Sequence, residues 1–532
     1  MSEREGGQRG DRRGDRDRRP GGARRNARGH ERNRRAQSDR AFSSSAPSGR
    51  TRRADPARLA AYETLRAVSE EGAYGNLVLP KLLRAHRLDR RDAGFATELA
   101  YGALRWQGTW DAVLARCVDR PLGELDGAVL DALRLGAHQL LAMRVPDHAA
   151  IDQTVGLVRA VVGQGPGGLV NAVLRKVAAR DLAAWVAELA AGSTDETARL
   201  GLAHAHPAWV VRALRQALTA HGRDAAELEA LLEADNEAPV VNLVALPGLG
   251  DLDEALAAGA EPGTLVPGSA LSSGGDLHRL VSVREGGVRV QDAGSQLVAR
   301  ALVAAGQVAG VPGGGAEGGR WLDLCAGPGG KAALLAALAD RREAHLTANE
   351  VAPHRAELVR RALRPVPEHA WTVRTGDGRS AGELLGGRPA EEAGFDRVLV
   401  DAPCTGLGAL RRRPESRWRR SPRDLAELGP LQRELLHAAL DVARPGGLVA
   451  YATCSPHAAE TLTVVQDVLA GRRDVELVDA LEPVRAAALP GSLDGDRDPS
   501  RPWAGDTGPA TVQLWPHVHG TDAMFLALLR KR

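Results

Sequence analysis

Apolar side chains in the first part of the chain recur with the spacing of amphipathic helices. Asp55 and Pro56 suit a helix N-cap and a first helical position, and the positions after them form one apolar face: Leu59, Tyr62, Leu65 and Val68. Helical patterns continue over 93–106, 122–143, 151–162 and 169–177, with turn residues between them at 72–76 and 163–168. No strand pattern of similar strength occurs before about residue 238. The pattern predicts an all-helical domain over residues 55–185.

The pattern changes in the middle of the chain. Helical stretches at 209–221 and 224–234 precede short strand-like runs at 240–245 and 288–291, which predicts a small α/β domain over residues 186–290. Strands at 321–324, 345–349, 397–401 and 448–452 then alternate with helices at 331–338, 353–362 and 431–443. Such alternation is typical of an open, mainly parallel sheet that binds ligands at the carboxyl ends of its strands. The sequence therefore predicts a multidomain protein that ends in a Rossmann-like α/β domain, residues 291–532.

The N-terminal residues 1–54 differ from the rest in composition. Residues 1–53 contain 17 Arg against 7 Asp plus Glu and almost no large apolar side chains. Such a segment cannot bury enough apolar surface to fold alone, so we predict a disordered tail. It is either a solvated segment without a specific role or a cationic arm that attracts RNA.

Apolar runs and cysteines exclude several classes of protein. No uninterrupted apolar run approaches the about 20 residues that a membrane span needs, and the N-terminus lacks the apolar segment of a secretory signal. The four cysteines include no CxxC pair, which argues against a disulfide framework and a structural zinc site. We therefore expect a soluble, cytoplasmic protein without a bound metal.

A glycine-rich turn follows the first predicted strand of the last domain. Its spacing matches neither GxGxxG nor GxxxxGK[ST], so a dinucleotide or a triphosphate is not favoured. The next strand ends at Glu350, where a carboxylate would hold a ribose diol, and a third strand ends near Asp377, which would bind an adenine amino group. A single carboxylate at a strand end is more often an N-cap or a solvated charge, but the set fits S-adenosylmethionine. The predicted contacts in the turn are Cys325, Ala326, Gly327, Pro328, Gly329, Gly330 and Lys331.

Two cysteines follow predicted buried strands. Cys404 lies in the motif Asp-Ala-Pro-Cys that begins at Asp401, and Cys454 lies in the motif Ala-Thr-Cys-Ser. Because the carboxyl ends of parallel strands meet at one edge of a sheet, we expect both thiols to emerge together. A thiolate is suited to attack on a pyrimidine ring, and a second thiol can serve in releasing the product. Buried cysteines that only pack as small apolar side chains are the alternative. The residues alone leave the two roles interchangeable.

Several motifs together resemble one enzyme family. Residues 323–331, 401–406 and 452–455 are similar to the cofactor, substrate and nucleophile motifs of the Sun/RsmB family of RNA cytosine-5 methyltransferases. Residues 290–296 and 516–522 also match positions of this family. The helical segment, through residues 133–137, 145–148 and 170–175, resembles the NusB-like RNA-binding domain that precedes the catalytic domain in the bacterial 16S ribosomal RNA enzymes.

This resemblance implies roles for the candidate residues. Cys454 would add to C6 of a cytosine, Cys404 would assist proton removal from C5 and release of the enzyme, and Asp401 would bind the base and contribute to the cofactor site. The resemblance implies S-adenosylmethionine as cofactor and 16S rRNA, or an assembling small ribosomal subunit, as the partner of a monomeric enzyme. The small α/β domain would bind RNA or link its neighbours. Rival interpretations are a tRNA or DNA cytosine methyltransferase and an RNA-binding assembly factor with little turnover.

An arginine-rich segment follows the Asp401 loop. It is either a solvated charge run or, as we favour, a surface that grips the RNA backbone. The segment contains Arg411, Arg412, Arg413, Arg417, Trp418, Arg419 and Arg420.

Overall fold

The computed structural model describes residues 54–272, 274–308, 319–502 and 510–532. The predicted disordered tail lies outside these ranges, apart from Ala54. Among the helices within them, none is long and apolar enough to cross a membrane.

Residues 54–235 are helical. Asp55 caps the first helix by accepting a hydrogen bond from the Arg58 N–H over 2.9 Å, and Pro56 is its first residue, as predicted. The turn at Gly75 differs from the prediction, because a helix begins there. The helices are α1 Pro56–Glu70, α2 Gly75–Ala85, α3 Arg90–Arg105, α4 Gln107–Cys117, α5 Gly127–Leu141, α6 Asp147–Val161, α7 Gly167–Val177, α8 Leu182–Ala191, α9 Glu196–Ala203, α10 Ala208–Ala220 and α11 Leu228–Ala234.

A small antiparallel sheet follows the helices. Its strand order is β2-β3-β1-β4, and both neighbours of β1 run antiparallel to it. Its elements are β1 Val241–Ala245, α12 Asp253–Ala257, β2 Glu261–Pro262, β3 Ser269–Ser272, α13 Val281–Glu285 and β4 Val288–Val290. The mixed α/β character predicted for this part of the chain is confirmed, whereas the exact domain boundaries stay a prediction.

Within residues 291–308, 319–502 and 510–532, the chain builds a nine-stranded sheet covered by helices. Its helices are α14 Ala293–Val308, α15 Gly330–Asp340, α16 Pro353–Leu363, α17 Ala390–Ala393, α18 Ser416–Arg419, α19 Pro422–Val442, α20 Leu462–Gly471, α21 Leu481–Ala487 and α22 Pro516–His519. Its strands are β5 Gly319–Asp323, β6 Ala344–Glu350, β7 Trp371–Thr375, β8 Phe395–Asp401, β9 Ala443–Thr453, β10 Val475–Val478, β11 Ser500–Pro502, β12 Ala510–Gln513 and β13 Phe525–Lys531.

The large sheet is mixed. Its order is β11-β12-β13-β9-β8-β5-β6-β7, with β10 also paired to β13. Five adjacent strands of this order, β9, β8, β5, β6 and β7, are parallel to one another, as predicted for this domain. The antiparallel strands β10 to β13 extend the sheet beyond β9, and the sequence pattern does not predict them.

Alternate side chains of the parallel strands enter two separate cores. On β5, Trp321 packs into the core beneath α14, α15 and α16, whereas Leu322 faces the core beneath α19 and α20. On β9, Ala450 and Tyr451 divide in the same way. This alternation follows from the two-residue period of a strand, and burial on both faces fixes the register. Both faces are closed by helices, so a ligand can approach the parallel strands at their carboxyl ends.

Candidate active site

The two cysteine motifs lie at one edge of the large sheet. β8 and β9 are parallel neighbours whose register pairs Asp401 with Ala452. β8 ends at Asp401 and β9 at Thr453, so the chain leaves both strands just before the thiols. The sulfur atoms of Cys404 and Cys454 are 3.4 Å apart. The sheet therefore brings together the two thiols that the sequence singles out.

The surroundings of the pair favour a negative charge on Cys454. The hydrogen bond from the Cys404 thiol lowers the pKa of Cys454 despite burial, and the positive charges of Arg413 and Lys331 act in the same direction. The same hydrogen bond, together with burial, raises the pKa of Cys404 well above its usual range, and nearby carboxylates add to that effect. One thiolate and one neutral thiol that donates to it satisfy both groups.

An ion pair stands beside the thiols. Nζ of Lys331, in the first turn of α15, lies 2.8 Å from Oδ2 of Asp401. Burial opposes the charge on Lys331, but Asp401 outweighs it, and the pKa of the ammonium is raised. Asp323 is buried close by at the end of β5, where burial and the charge of Asp401 raise its pKa to about 7. An ammonium and a carboxylate are thus fixed next to the sulfur atoms, where a polar ring edge can be bound.

The glycine-rich turn between β5 and α15 lies at the same edge. Gly327 and Gly329 have φ angles of +58° and +93°, which favour glycine. The Gly327 N–H donates to Oε2 of Glu350 over 2.9 Å, so the end of β6 holds the turn in place. A Cβ on Gly330 would meet no atom within 4 Å, which leaves open space over the start of α15.

These residues fit S-adenosylmethionine. The turn leaves room for a ligand against its backbone, and the carboxylates of Glu350, Asp323 and Asp401 lie around it, which suits a cationic sulfonium group and a ribose. The ammonium of Lys331 is already paired with Asp401, so this edge does not favour a phosphate. The glycine-turn residues and Glu350 would hold the cofactor.

Asp377 lies near this edge but is engaged elsewhere. β6 and β7 pair Glu350 with Thr375, which places Asp377 just beyond the end of β7. Its Oδ1 accepts from the Arg379 N–H over 2.9 Å and caps a 3₁₀ segment, and its Oδ2 lies 2.6 Å from Nη2 of Arg379. The side chain thus acts as an N-cap, the alternative that the sequence pattern leaves open. The carboxylate predicted to bind adenine is thus paired with Arg379 in this structure.

Most arginines of the arginine-rich segment are bound within the protein and are not free to grip RNA. Arg411 and Arg417 are buried. Arg412 forms ion pairs with Asp292 and Asp522, at the start of α14 and before β13. The expectation is therefore wrong for these residues, because their charges are bound by the protein itself.

The short helix α18 instead joins the Asp401 loop to the helical region. Arg417, Trp418 and Arg419 donate hydrogen bonds almost entirely to main-chain oxygens of that region. The acceptors are the carbonyls of Ala205 and Asp235 and the Asn236 side chain for Arg417, the carbonyl of Leu104 for Trp418, and the carbonyls of Val68, Gly72 and Ala73 for Arg419. Sequence reasoning could not distinguish these anchors from a nucleic-acid surface, since both consist of clustered arginines and an aromatic residue.

Sequence reasoning also missed Glu460. Its side chain is fully buried after β9, and it accepts hydrogen bonds from the N–H and the hydroxyl of Thr405, the residue that follows Cys404. A charged residue within the otherwise weakly polar stretch 458–465 is the signal that could have indicated it.

Comparison with known families and proteins identifies both main parts of the chain. Residues 315–530 match the family described as 16S rRNA methyltransferase RsmB/F, and residues 55–179 match the NusB family. A Mycobacterium tuberculosis protein named as a methyltransferase, without a stated substrate, is 48% identical over 91% of this chain and 98% of its own length. The ribosomal RNA small subunit methyltransferase B of Escherichia coli is 31% identical over 82% of this chain and 96% of that protein.

A solved structure shares the fold. The crystal structure of PH0851 covers 90% of this chain and 99% of its own, with a TM-score of 0.71 at 22% sequence identity. Methyltransferases of the matched family use S-adenosylmethionine, in agreement with the geometry of the glycine-rich turn. The chain therefore belongs to the RsmB/F family of S-adenosylmethionine-dependent methyltransferases and carries an N-terminal NusB domain.

Proposed function

We propose that this enzyme methylates C5 of a cytosine in RNA, with 16S rRNA as the substrate, through a covalent adduct between Cys454 and C6 of the base. The observation that carries the proposal is the thiol pair, 3.4 Å apart, beside the Lys331–Asp401 ion pair. A thiolate supplies the nucleophile, and the ion pair can bind the polar edge of the ring.

The first stage forms the carbon–sulfur bond. The Cys454 thiolate attacks C6, and the electron pair displaced from the C5–C6 double bond makes C5 nucleophilic. When bound, S-adenosylmethionine would supply an electrophilic methyl group to C5 and would leave as S-adenosylhomocysteine, its sulfonium having become a neutral thioether. Asp401 and Lys331 hold the base edge and stabilise the charge that develops on the ring.

The second stage needs a base for the C5 proton. The pKa of Cys404 is raised chiefly by its hydrogen bond to Cys454 and by burial, with the charge of Cys454 adding to them. Once Cys454 is bonded to carbon its charge is gone, so Cys404 can lose its proton to solvent more readily. The Cys404 thiolate then takes the proton from C5, the Cys454–C6 bond breaks, and the product leaves with the nucleophile restored as a thiolate. The two thiols thereby act in sequence.

Arg413 is the arginine of the segment that best supports an RNA contact. It is exposed, its guanidinium lies 5.2 Å from the ring centre of Tyr74, and its charge acts on Cys454. A base paired in a duplex cannot reach the thiols, so the target must be unpaired or flipped out. Log affinity for RNA falls linearly with log salt concentration. Arg413→Ala should make this fall less steep by about one unit of slope, whereas Arg423→Ala, on the exposed face of α19, should leave the slope unchanged.

The roles of the thiols are tested by trapping the adduct. Cys404→Ala should accumulate a protein–RNA complex that survives denaturing electrophoresis, because attack proceeds but release does not. Cys454→Ala should form no complex and no 5-methylcytidine by nucleoside mass spectrometry. Cys117→Ala, in the helical core, is the matched control and should retain activity. A stable complex with Cys454→Ala, or none with Cys404→Ala, would contradict the assignment.

The substrate is tested separately. Bisulfite sequencing is applied to 16S rRNA, tRNA and DNA after incubation with the enzyme, and the 16S rRNA is supplied both as naked RNA and within the small subunit. We expect a cytosine protected from conversion in 16S rRNA. Protection confined to tRNA or DNA would overturn the substrate. RNA binding without protection in any of them would favour an assembly factor.

A further inference from the structure

A buried carboxylate holds the loop that carries Cys404. Glu460 is 0% exposed in the 3₁₀ turn after β9. Its Oε1 accepts from the Thr405 N–H over 2.7 Å, and its Oε2 accepts from the Thr405 hydroxyl over 2.5 Å. Burying a carboxylate is costly unless hydrogen bonds replace its water, and these two bonds do so on the residue next to a candidate catalytic thiol.

Gln432 of α19 completes the arrangement from the other side. Its side chain is also 0% exposed, and its Nε2 donates to Oε1 of Glu460 over 3.2 Å and to the Pro403 carbonyl over 2.8 Å. The residues before and after Cys404 are therefore both bound by one buried pair. Such bonds fix the backbone of the loop and hence the starting point of the Cys404 side chain.

The main chain of Glu460 is bound to the segment of the nucleophile. The Tyr451 hydroxyl, on β9, donates to the main-chain carbonyl of Glu460 over 2.8 Å. The hydroxyls of Thr405 and Ser455, each one residue after a catalytic thiol, lie 3.3 Å apart. Glu460 thus connects the two loops whose sulfur atoms meet.

The charge of Glu460 distinguishes the thiols. The charged groups that act on Cys404 are Cys454, Glu460 and Asp401, all of which disfavour a second negative charge. Those that act on Cys454 include the cations Arg413 and Lys331, besides Asp401. The charge of Glu460 disfavours a thiolate at Cys404, whereas the charges of Arg413 and Lys331 favour one at Cys454, although the two side chains are chemically identical.

We propose that Glu460 is a positioning residue which, with Gln432, fixes the Cys404 loop and keeps Cys404 neutral, so that Cys454 is the thiolate in the resting enzyme. This inference rests on the proposed function for the roles of the thiols. Glu460 is fully buried and its carboxylate is hydrogen-bonded to Thr405 and Gln432, so it acts through the loop that carries Cys404.

Thiol alkylation in the absence of RNA tests the proposal. Iodoacetamide labelling of the full chain from pH 6 to 10, with mass spectrometry for each cysteine, should show Cys454 reacting at lower pH than Cys404. In Glu460→Gln, which preserves the shape but removes the charge, Cys404 should react roughly three- to tenfold faster at pH 8, since half to one pKa unit changes the thiolate fraction by that factor. Thr405→Ser keeps both hydrogen bonds and is the matched control. Unchanged profiles of both thiols in Glu460→Gln would overturn the proposal.

A second variant and a kinetic measurement keep the test decisive. Gln432→Met removes the donors to Pro403 and Glu460 without a change of charge, and the loosened loop should raise the ratio of Cys404 to Cys454 labelling. If Glu460→Gln does not fold, an unchanged ratio in Gln432→Met overturns the proposal. In turnover, both variants should lower kcat with KM for RNA unchanged. Failure of the adduct assay with intact labelling differences would reject the proposed function but not this inference.

Discussion

Replacing Arg417 with methionine should destabilise the protein strongly, although the residue lies outside the active site. The side chain is fully buried and donates to the carbonyls of Ala205 and Asp235 over 3.0 Å and to Oδ1 of Asn236 over 2.8 Å. Methionine fills a similar length with an apolar chain, so the change removes the donors and the charge while most of the packing is kept.

The magnitude follows from what the substitution leaves behind. Two buried carbonyl oxygens and the half-buried Oδ1 of Asn236 lose their donor, and each buried polar group left unsatisfied costs about 1–3 kcal/mol. Asp235 is 1% exposed, and burial raises the pKa of its carboxyl group. The charge of Arg417 is the largest effect that opposes this rise. Removing the guanidinium also takes away a positive charge that favours the ionised form of this carboxylate. These contributions overlap, and we expect a loss of about 3–5 kcal/mol in the free energy of unfolding.

Urea denaturation followed by circular dichroism measures this loss. With an m-value of about 3 kcal/mol/M, the upper end for urea, the midpoint should fall by roughly 1–2 M. Arg423→Met is the matched control, because Arg423 forms an exposed (i, i+4) ion pair with Glu427 that is worth about 0.3–0.5 kcal/mol. A midpoint for Arg417→Met close to that of this control would refute the assignment of Arg417 as a buried anchor.

The pH dependence separates charge from packing. Burial raises the pKa of Asp235 to about 6, and loss of Arg417 should raise it further because the guanidinium favours the ionised form. A carboxyl group whose pKa is raised in the folded state contributes to the free energy of unfolding at low pH. That contribution is lost as pH rises through the folded-state pKa. The deficit of Arg417→Met should therefore shrink as pH falls from 7 to 5. Asp235→Asn in the same background should recover about 1–2 kcal/mol at pH 7.

Three further substitutions test the geometry around the thiols. Gly408→Ala should cost about 1–3 kcal/mol by calorimetry, because its Cβ would lie 2.3 Å from the carbonyl oxygen of Ala523. Burial lowers the pKa of His221 to about 4. Its contribution to the free energy of unfolding is therefore present above pH 6.5 and falls by about 3 kcal/mol as pH decreases to 4. His221→Gln should lack this loss when acid denaturation is measured. Lys331→Met leaves Asp401 without its ammonium and should move alkylation of Cys454 to higher pH by about half a unit.

The elements that the sequence predicts well are those fixed by local chemistry. The helix that begins at Pro56 is specified by its cap, and the strand that ends at Asp401 is specified by its apolar run and the proline that follows. These local rules are sufficient to place both thiols at one sheet edge. The site was predictable because parallel strands that are buried on both faces have a clear sequence signature.

Elements fixed by distant partners could not be predicted in this way. α2 begins at Gly75 within a stretch of turn residues, and its N-terminal N–H donates to Oε1 of Glu415, 340 positions away in the chain. The strands β10 to β13 are short or follow irregular connections, and their order depends on pairing with β9 rather than on their own pattern. In both cases the deciding interaction is tertiary, and no local window of sequence contains it.

The arginine-rich segment shows why composition alone misleads near an active site. An arginine can donate to main-chain carbonyl oxygens as well as to phosphate oxygens, so the same cluster suits a domain junction or an RNA surface. Here the stretch that follows Asp401 is fixed along its length: Thr405 by Glu460, Gly408 by the carbonyl of Cys454, and Arg417 by the helical region. Trp418 and Arg419 attach the same stretch of chain to the NusB domain through the carbonyls of Leu104, Val68, Gly72 and Ala73. Because these acceptors are main-chain atoms, exchanging the side chains of those residues leaves the acceptors in place.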